Sequence, residues 1–172
     1  MLTVSPNWQR FNGQKIEGSL LDAIETILIK EQHKGHKIKV CVGTDSQVKG
    51  DFVVFATVIL FLRIGKGGFM LTHKKTYETT LHINRRMVME VTDSVEIGSA
   101  ISDLLELYDV EMEIHADVNA SKEHLSNKAF KEVMGYVMGS GLVFIAKPDA
   151  CASTYCADKV VKGGSWPKKK VA

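Results

Sequence analysis

The stretch Lys37-Ile-Lys-Val-Cys-Val-Gly-Thr-Asp-Ser46 decides how this chain reads. Ile38, Val40 and Val42 alternate with Lys39, Cys41 and Gly43, the period-two pattern of a strand, and the run closes on the carboxylate of Asp45. A second stretch repeats the arrangement. Val110, Met112, Ile114 and Ala116 alternate with polar partners and lead to Asp117. Two strands, each ending on an aspartate, predict a sheet with acidic groups at one edge.

Working outward from the first strand, Ser19-Leu-Leu-Asp22 forms a variant capping box, with Asp22 at the positive end of the helix dipole. A helix follows from about Leu20 to Gln32, apolar through Leu20, Leu21, Ile24, Ile27 and Leu28 and stopped by Gly35. Before it lies a polar leader with Pro6 and Gly13. Downstream, Gly50-Asp51 turns the chain into a β-branched and aromatic run, Phe52 to Leu62, and Gly65-Lys-Gly-Gly68 turns it again into Phe69 to Tyr77. Three strands on short turns predict an antiparallel meander.

Asn84 to Tyr108 carries Met87, Val91, Ser94, Gly98, Ile101 and Leu105 at helical spacing. After the Asp117 strand, Asn127 to Met138 reads as a helix and Leu142 to Ala146 as a fully buried fifth strand. Cys151 to Val161 reads as a last helix, and residues 163–172, with Lys168-Lys-Lys170, as a mobile, solubilising tail. Strands alternating with helices after a meander predict one α/β domain: a five-stranded mixed sheet with helices on its faces, extended by right-handed crossovers, plus an N-terminal helix. Such sheets open a crevice at strand ends. Asp45 and Asp117 point there.

The 172 residues suit one domain, with a core of about 35–162. Hydrophobic residues at 45% and charged residues at 24% match a soluble globular chain and exclude a disordered or collagen-like one. A net charge of +2 means that a nucleic-acid partner has to be held by local patches. Apolar runs fall well short of the roughly 20 residues that span a bilayer. With no basic start followed by an apolar stretch after Met1, a cytoplasmic location is expected. Three cysteines, Cys41, Cys151 and Cys156, argue against structural disulfides, with Cys41 read as a small hydrophobe. Zinc on Cys151 and Cys156 with His115 or His124 is disfavoured, because structural zinc sites use closer cysteine pairs and a matching second pair.

Two carboxylates side by side resist ionisation unless a cation sits between them, and hard oxygen donors suit magnesium or manganese. An aspartate after a strand is also a common turn residue, so neither acid decides the matter alone. On the long helix Glu90 lies within about 60° of the apolar stripe, at about 100° per residue, whereas Glu96 faces almost the opposite way. Asp149 and Asp158 compete for a fourth position. Asp149 suits the N-cap of the last helix, and Asp158 sits among small apolar neighbours inside it, where an aspartate is locally unfavourable.

The blocks Val42-Gly-Thr-Asp-Ser-Gln47, Ile114-His-Ala-Asp-Val-Asn119 and Lys147-Pro-Asp-Ala-Cys-Ala-Ser153 with Ala157-Asp158 resemble those of the YkuK-like family, an uncharacterised group in the ribonuclease H-like superfamily. The resemblance runs from about Gly35 to Lys162. It implies a sheet of order 3-2-1-4-5 and an acidic cluster made by Asp45, Glu90, Asp117 and Asp158. A two-metal site would follow, with magnesium or manganese activating a water and stabilising the leaving oxygen of a phosphodiester. RNA, an RNA/DNA hybrid or structured DNA is then the expected substrate class.

Around these acids, Asn119 and Lys147 are candidate substrate contacts, and His73-Lys-Lys75 and Arg85-Arg86 are candidate basic patches for a nucleic-acid backbone. The rival expectation is a ribonuclease H-like module that binds nucleic acid or protein without cutting it. Asp45 and Asp117 would then be turn residues, and Asp158 a partner for Lys159 or Lys162.

Overall fold

The structure, a computed structural model, describes residues 7–78, 81–119 and 127–163. The elements run β1 (Gln9–Arg10), α1 (Leu20–His33), β2 (Ile38–Lys49), β3 (Phe52–Arg63), β4 (Gly67–Glu78), α2 (Ile83–Leu107), β5 (Glu111–Asn119), α3 (Asn127–Gly139) and β6 (Val143–Lys147). A π-helical turn, Ala152–Ala157, then continues into α4 (Asp158–Val161). The expected tail lies outside the described residues from residue 164 onward, and so does His124.

The sheet order is β1-β4-β3-β2-β5-β6. Its five long strands follow the expected 3-2-1-4-5 arrangement, and the sixth strand is a correction to the polar leader read ahead of α1. Gln9 and Arg10 pair antiparallel with Thr72 and Leu71. Trp8, only 1% exposed, anchors them, so one large aromatic in a polar segment suffices to add a short edge strand. The β2–β3 hairpin pairs Lys49 with Phe52 around Gly50-Asp51. Gly50 has φ 61°, the positive value that a tight hairpin turn asks of its first central residue.

The Ser19 box forms in full: Asp22 N–H donates to Ser19 Oγ at 3.1 Å, and Ser19 N–H donates to Asp22 Oδ2 at 3.3 Å. Apolar faces of α1, α2 and α3 then pack on one side of the sheet, over Val40, Val42, Ile59, Phe61 and Ile114. On the other side a smaller core joins Cys41, Ala56, Val58 and Leu60 to Ala152, Ala157, Val160 and Val161. The sheet is thus covered on both faces.

Three local expectations are revised. Asp45 does not end its strand, because the antiparallel ladder with β3 carries β2 on to Lys49. The fifth strand is not fully buried. As β6 it is the sheet edge, with partners on one side and Val143 55% exposed. Asp149 does not cap the last helix with its side chain: the N-cap position is Cys151, without a side-chain cap bond, and Asp149 contributes only its carbonyl, which accepts the Cys151 N–H at 2.8 Å.

Candidate metal centre and its surroundings

The parallel ladder between β2 and β5 runs from Lys39↔Glu111 to Gly43↔His115 and stops there. The ladder between β5 and β6 is interrupted between His115 and Asn119. Asp45 and Asp117 each lie two residues beyond the last β2–β5 pair, so both acids stand where the strands part. By strand alternation they share a face with Cys41, Gly43, Glu113 and His115, the face covered by the last helix.

That helix is pressed directly onto β2. A Cβ on Gly43 would lie 2.5 Å from Ser153 N and 2.8 Å from Ala152 C, so glycine is what allows this approach. Further along, Lys49 Nζ donates to Val161 O at 2.9 Å. The helix therefore follows β2 and brings Asp158 into the field of Asp45. Burial, opposed by the Ser46 N–H, and then Asp117 and Asp158 hold the Asp45 carboxyl up at about 6, with Arg86 working against them. Asp149 is exposed and exerts no comparable influence on Asp45.

Glu90 enters from the opposite face. It is buried, whereas Glu96 is exposed. Ser46 Oγ donates to Glu90 Oε1 at 2.5 Å, and Arg86 donates from Nε to Ser46 Oγ at 2.8 Å and from Nη2 to Ser46 O at 3.0 Å. Burial, opposed by the Ser46 bond and Arg86, together with Asp45 and Asp117 pushes Glu90 up to about 8. Asp117 and Asp158 thus act on Asp45, and Asp45 and Asp117 act on Glu90. Two charges already answer them: Lys147 forms an ion pair with Asp117, and Lys162 pairs with Asp158 at 2.6 Å. Thr154 Oγ1 also donates to Asp117 Oδ1, at 3.4 Å.

The other candidates fare differently. Asn119 is the last residue of β5, opposite Lys147, and its side chain lies outside the described residues. His73-Lys-Lys75 forms no open basic patch, because His73 is buried against Trp8 and Lys75 Nζ pairs with Asp93 at 2.8 Å. Of Arg85-Arg86, Arg86 turns inward. The spacing of Arg86 and Glu90, four apart on α2, was the available sign that one residue positions the other.

A second cluster was not foreseen. Among the described residues, Cys41, Glu113 and His115 are the one trio of metal-type donors within 4.8 Å of one another, so the four carboxylates are spread more widely than a closed cage. Cys151 joins this cluster, with Sγ 3.7 Å from His115 Nδ1. The donors come from three separate elements, which is why their spacing in sequence resembles no cysteine motif.

A family model described as "Ribonuclease H-like" matches residues 20–162. A Bacillus subtilis (strain 168) protein described as "Uncharacterized protein YkuK" is 24% identical over 157 residues, covering 83% of this chain and 89% of its own length. No solved structure matches. Among the described residues, no helix is long and apolar enough to cross a membrane.

Proposed function

This chain belongs to the ribonuclease H-like family, and we propose that within it the chain is a divalent-metal-dependent nuclease that hydrolyses phosphodiester bonds in RNA, RNA/DNA hybrid or structured DNA. The family supports a nuclease-like or nucleic-acid-binding role. The observation that supports the finer reading is the pull of Asp117 and Asp158 on Asp45 and of Asp45 and Asp117 on Glu90, which with burial hold Asp45 at about 6 and Glu90 at about 8. A protein that gathers carboxylates into a partly desolvated site at a cost in ionisation has a use for the cation that offsets it.

The donor set fits a hard cation. The four candidate ligands are all carboxylates, with no thiol or imidazole among them, which favours magnesium or manganese over zinc. Asp45, Glu90, Asp117 and Asp158 would hold it. When bound, such a cation lowers the pKa of a water and stabilises a leaving oxygen. The chain does the rest. Arg86 fixes Ser46, and Ser46 fixes Glu90 Oε1, so Glu90 keeps one orientation. Lys147 and Lys162 stand at the rim, close enough to the acids to exchange them for phosphate oxygens.

Cleavage of end-labelled single-stranded RNA, RNA/DNA hybrid and branched DNA, with and without manganese, tests this reading. Metal-dependent products that disappear in Asp45→Asn are expected. One observation favours a second reading, a binding module that does not cut: Asp117 and Asp158 already have lysine partners. Retained nucleic-acid binding, with no cleavage of any substrate and no manganese binding by calorimetry, would establish that module instead.

A further inference from the structure

Cys151 and Cys41 meet across the smaller core, on the same face of β2 as Asp45 but separated from it by four residues of strand, on the order of 13 Å. Their surroundings differ. Cys41 is fully buried, and its Sγ donates toward Glu113 Oε2 at 3.9 Å, so its proton faces an acceptor that favours the thiol. Cys151 is half-buried and lines a pocket of about 820 Å³ with Phe11, Leu60, Met70 and Cys156, so small molecules reach it.

The imidazole beside Cys151 is held in place on both sides. Ala152 N–H donates to His115 Nδ1 at 3.1 Å, so beside the resting thiol this nitrogen carries a lone pair that can take the Cys151 proton, and the Nε2–H donates to Glu113 Oε2 at 3.1 Å. Lys39 Nζ, 2.7 Å from Glu113 Oε1, fixes that carboxylate in turn. Both sulfurs flank this imidazole: Cys151 Sγ lies 3.7 Å from Nδ1, Cys41 Sγ lies within 4.8 Å of a ring nitrogen, and both pack in the smaller core. Their proximity, with His115, draws the Cys151 thiol down and, with burial, drives Cys41 up. Cys156 lines the same pocket without a comparable partner, and burial pushes it up to about 11. It is a built-in control.

We propose that Cys151 and Cys41 are a redox-active dithiol, in which Cys151 reduces a hydroperoxide that enters the pocket and Cys41 resolves the product as an intramolecular disulfide. The Cys151 sulfur attacks the terminal peroxide oxygen, the O–O bond breaks, and the thiol proton ends on the released alcohol or water. Cys151 is then a sulfenic acid. The Cys41 sulfur attacks it, the S–O bond breaks, and the hydroxyl leaves as water with the Cys41 proton. Two thiols lose two electrons and the peroxide gains them. A dithiol such as dithiothreitol restores the pair.

Iodoacetamide labelling of the reduced wild-type chain, followed by peptide mapping, should alkylate Cys151 at least about tenfold faster than Cys156 at pH 7, with little change between pH 6 and 8. Hydrogen peroxide should then join the Cys41 and Cys151 peptides into a species that dithiothreitol separates. Cys156→Ser should leave both results unchanged, and Cys41→Ala should leave Cys151 as a sulfenic acid trapped by dimedone. The wild-type mapping stands even if the Cys41 variant does not fold. Cys156 reacting as fast as Cys151, a Cys151–Cys156 or intermolecular disulfide, or stoichiometric zinc held by Cys41 and Cys151 in the reduced protein would each overturn the proposal.

Discussion

At the scale of the residue, Asp45 carries the clearest consequence. Its carboxyl and that of Glu90 stand above their ordinary values of 3.8 and 4.5, at about 6 and about 8. Between about pH 4 and 8 the folded chain therefore holds protons that the unfolded chain has released, and stability falls as pH rises through that window. In chelator at pH 8, Asp45→Asn should be more stable than wild type by about 1 kcal/mol, discounted for its partial exposure. At pH 5 the gap should be about half as wide, and it should close only toward about pH 3, where both states hold the proton. Paired thermal melts across the range check this, and a gap independent of pH would mean that neither burial nor its acidic neighbours raise the Asp45 carboxyl. Manganese should reverse the ranking, raising the wild-type melting temperature and leaving the variant nearly unmoved, since a ligand stabilises only the form that binds it.

Elements decide which acids meet, and here the sequence was legible in part. Alternation at Ile38, Val40 and Val42 and at Val110, Met112 and Ile114 located β2 and β5, because the face under α1, α2 and α3 takes the larger apolar side chains and the other face takes Lys39, Cys41, Gly43 and Glu113. Helical phase likewise separated Glu90 from Glu96. What alternation does not carry is where a ladder stops. β2 reads as ending at Asp45 because the polar residues after it look like a turn, yet pairing with β3 continues to Lys49 while pairing with β5 stops at Gly43. The closeness of the last helix was equally hidden, since a glycine at a strand position does not say what lies above it. Gly43→Ala should expose that contact. With Ser153 N 2.5 Å from the new methyl, the helix has to lift, at a loss of about 2 kcal/mol in urea melts and with faster hydrogen exchange over residues 151–161 than over α2. Gly135→Ala is the contrast. Nothing lies within 4 Å of its added methyl, so helix propensity alone should stabilise α3 by about 0.5–1 kcal/mol.

For the whole molecule, the mixed sheet followed from the order of elements, a meander and then alternating helices and strands joined by right-handed crossovers, whereas the strand order 3-2-1-4-5 was implied by the family resemblance of the Asp45, Asp117 and Asp158 blocks. The distribution of charge did not follow in this way. His73-Lys-Lys75 and Arg85-Arg86 look like patches in sequence, and the fold spends Lys75 on Asp93 and Arg86 on Ser46. Among the described residues, Lys147 and Lys162 are lysines beside the candidate centre, each paired with an acid of that centre. Under the proposed function this pairing would couple metal to nucleic acid. A cation that engages Asp117 and Asp158 removes the lysines' partners and leaves two ammonium groups at the rim, where a phosphate backbone is the remaining counter-charge. Nucleic-acid affinity should therefore rise when a divalent cation binds, and the added affinity should depend steeply on salt. Replacing both lysines by alanine should lower the slope of log K against log salt by about 1.4–1.8, two phosphate contacts at about 0.7 to 0.9 each. Fluorescence anisotropy of a labelled oligonucleotide in calcium reads this slope, and the same titration in chelator should show little difference between the two proteins. Equal slopes in calcium would place the nucleic acid away from Lys147 and Lys162, and with it away from the split between β2 and β5.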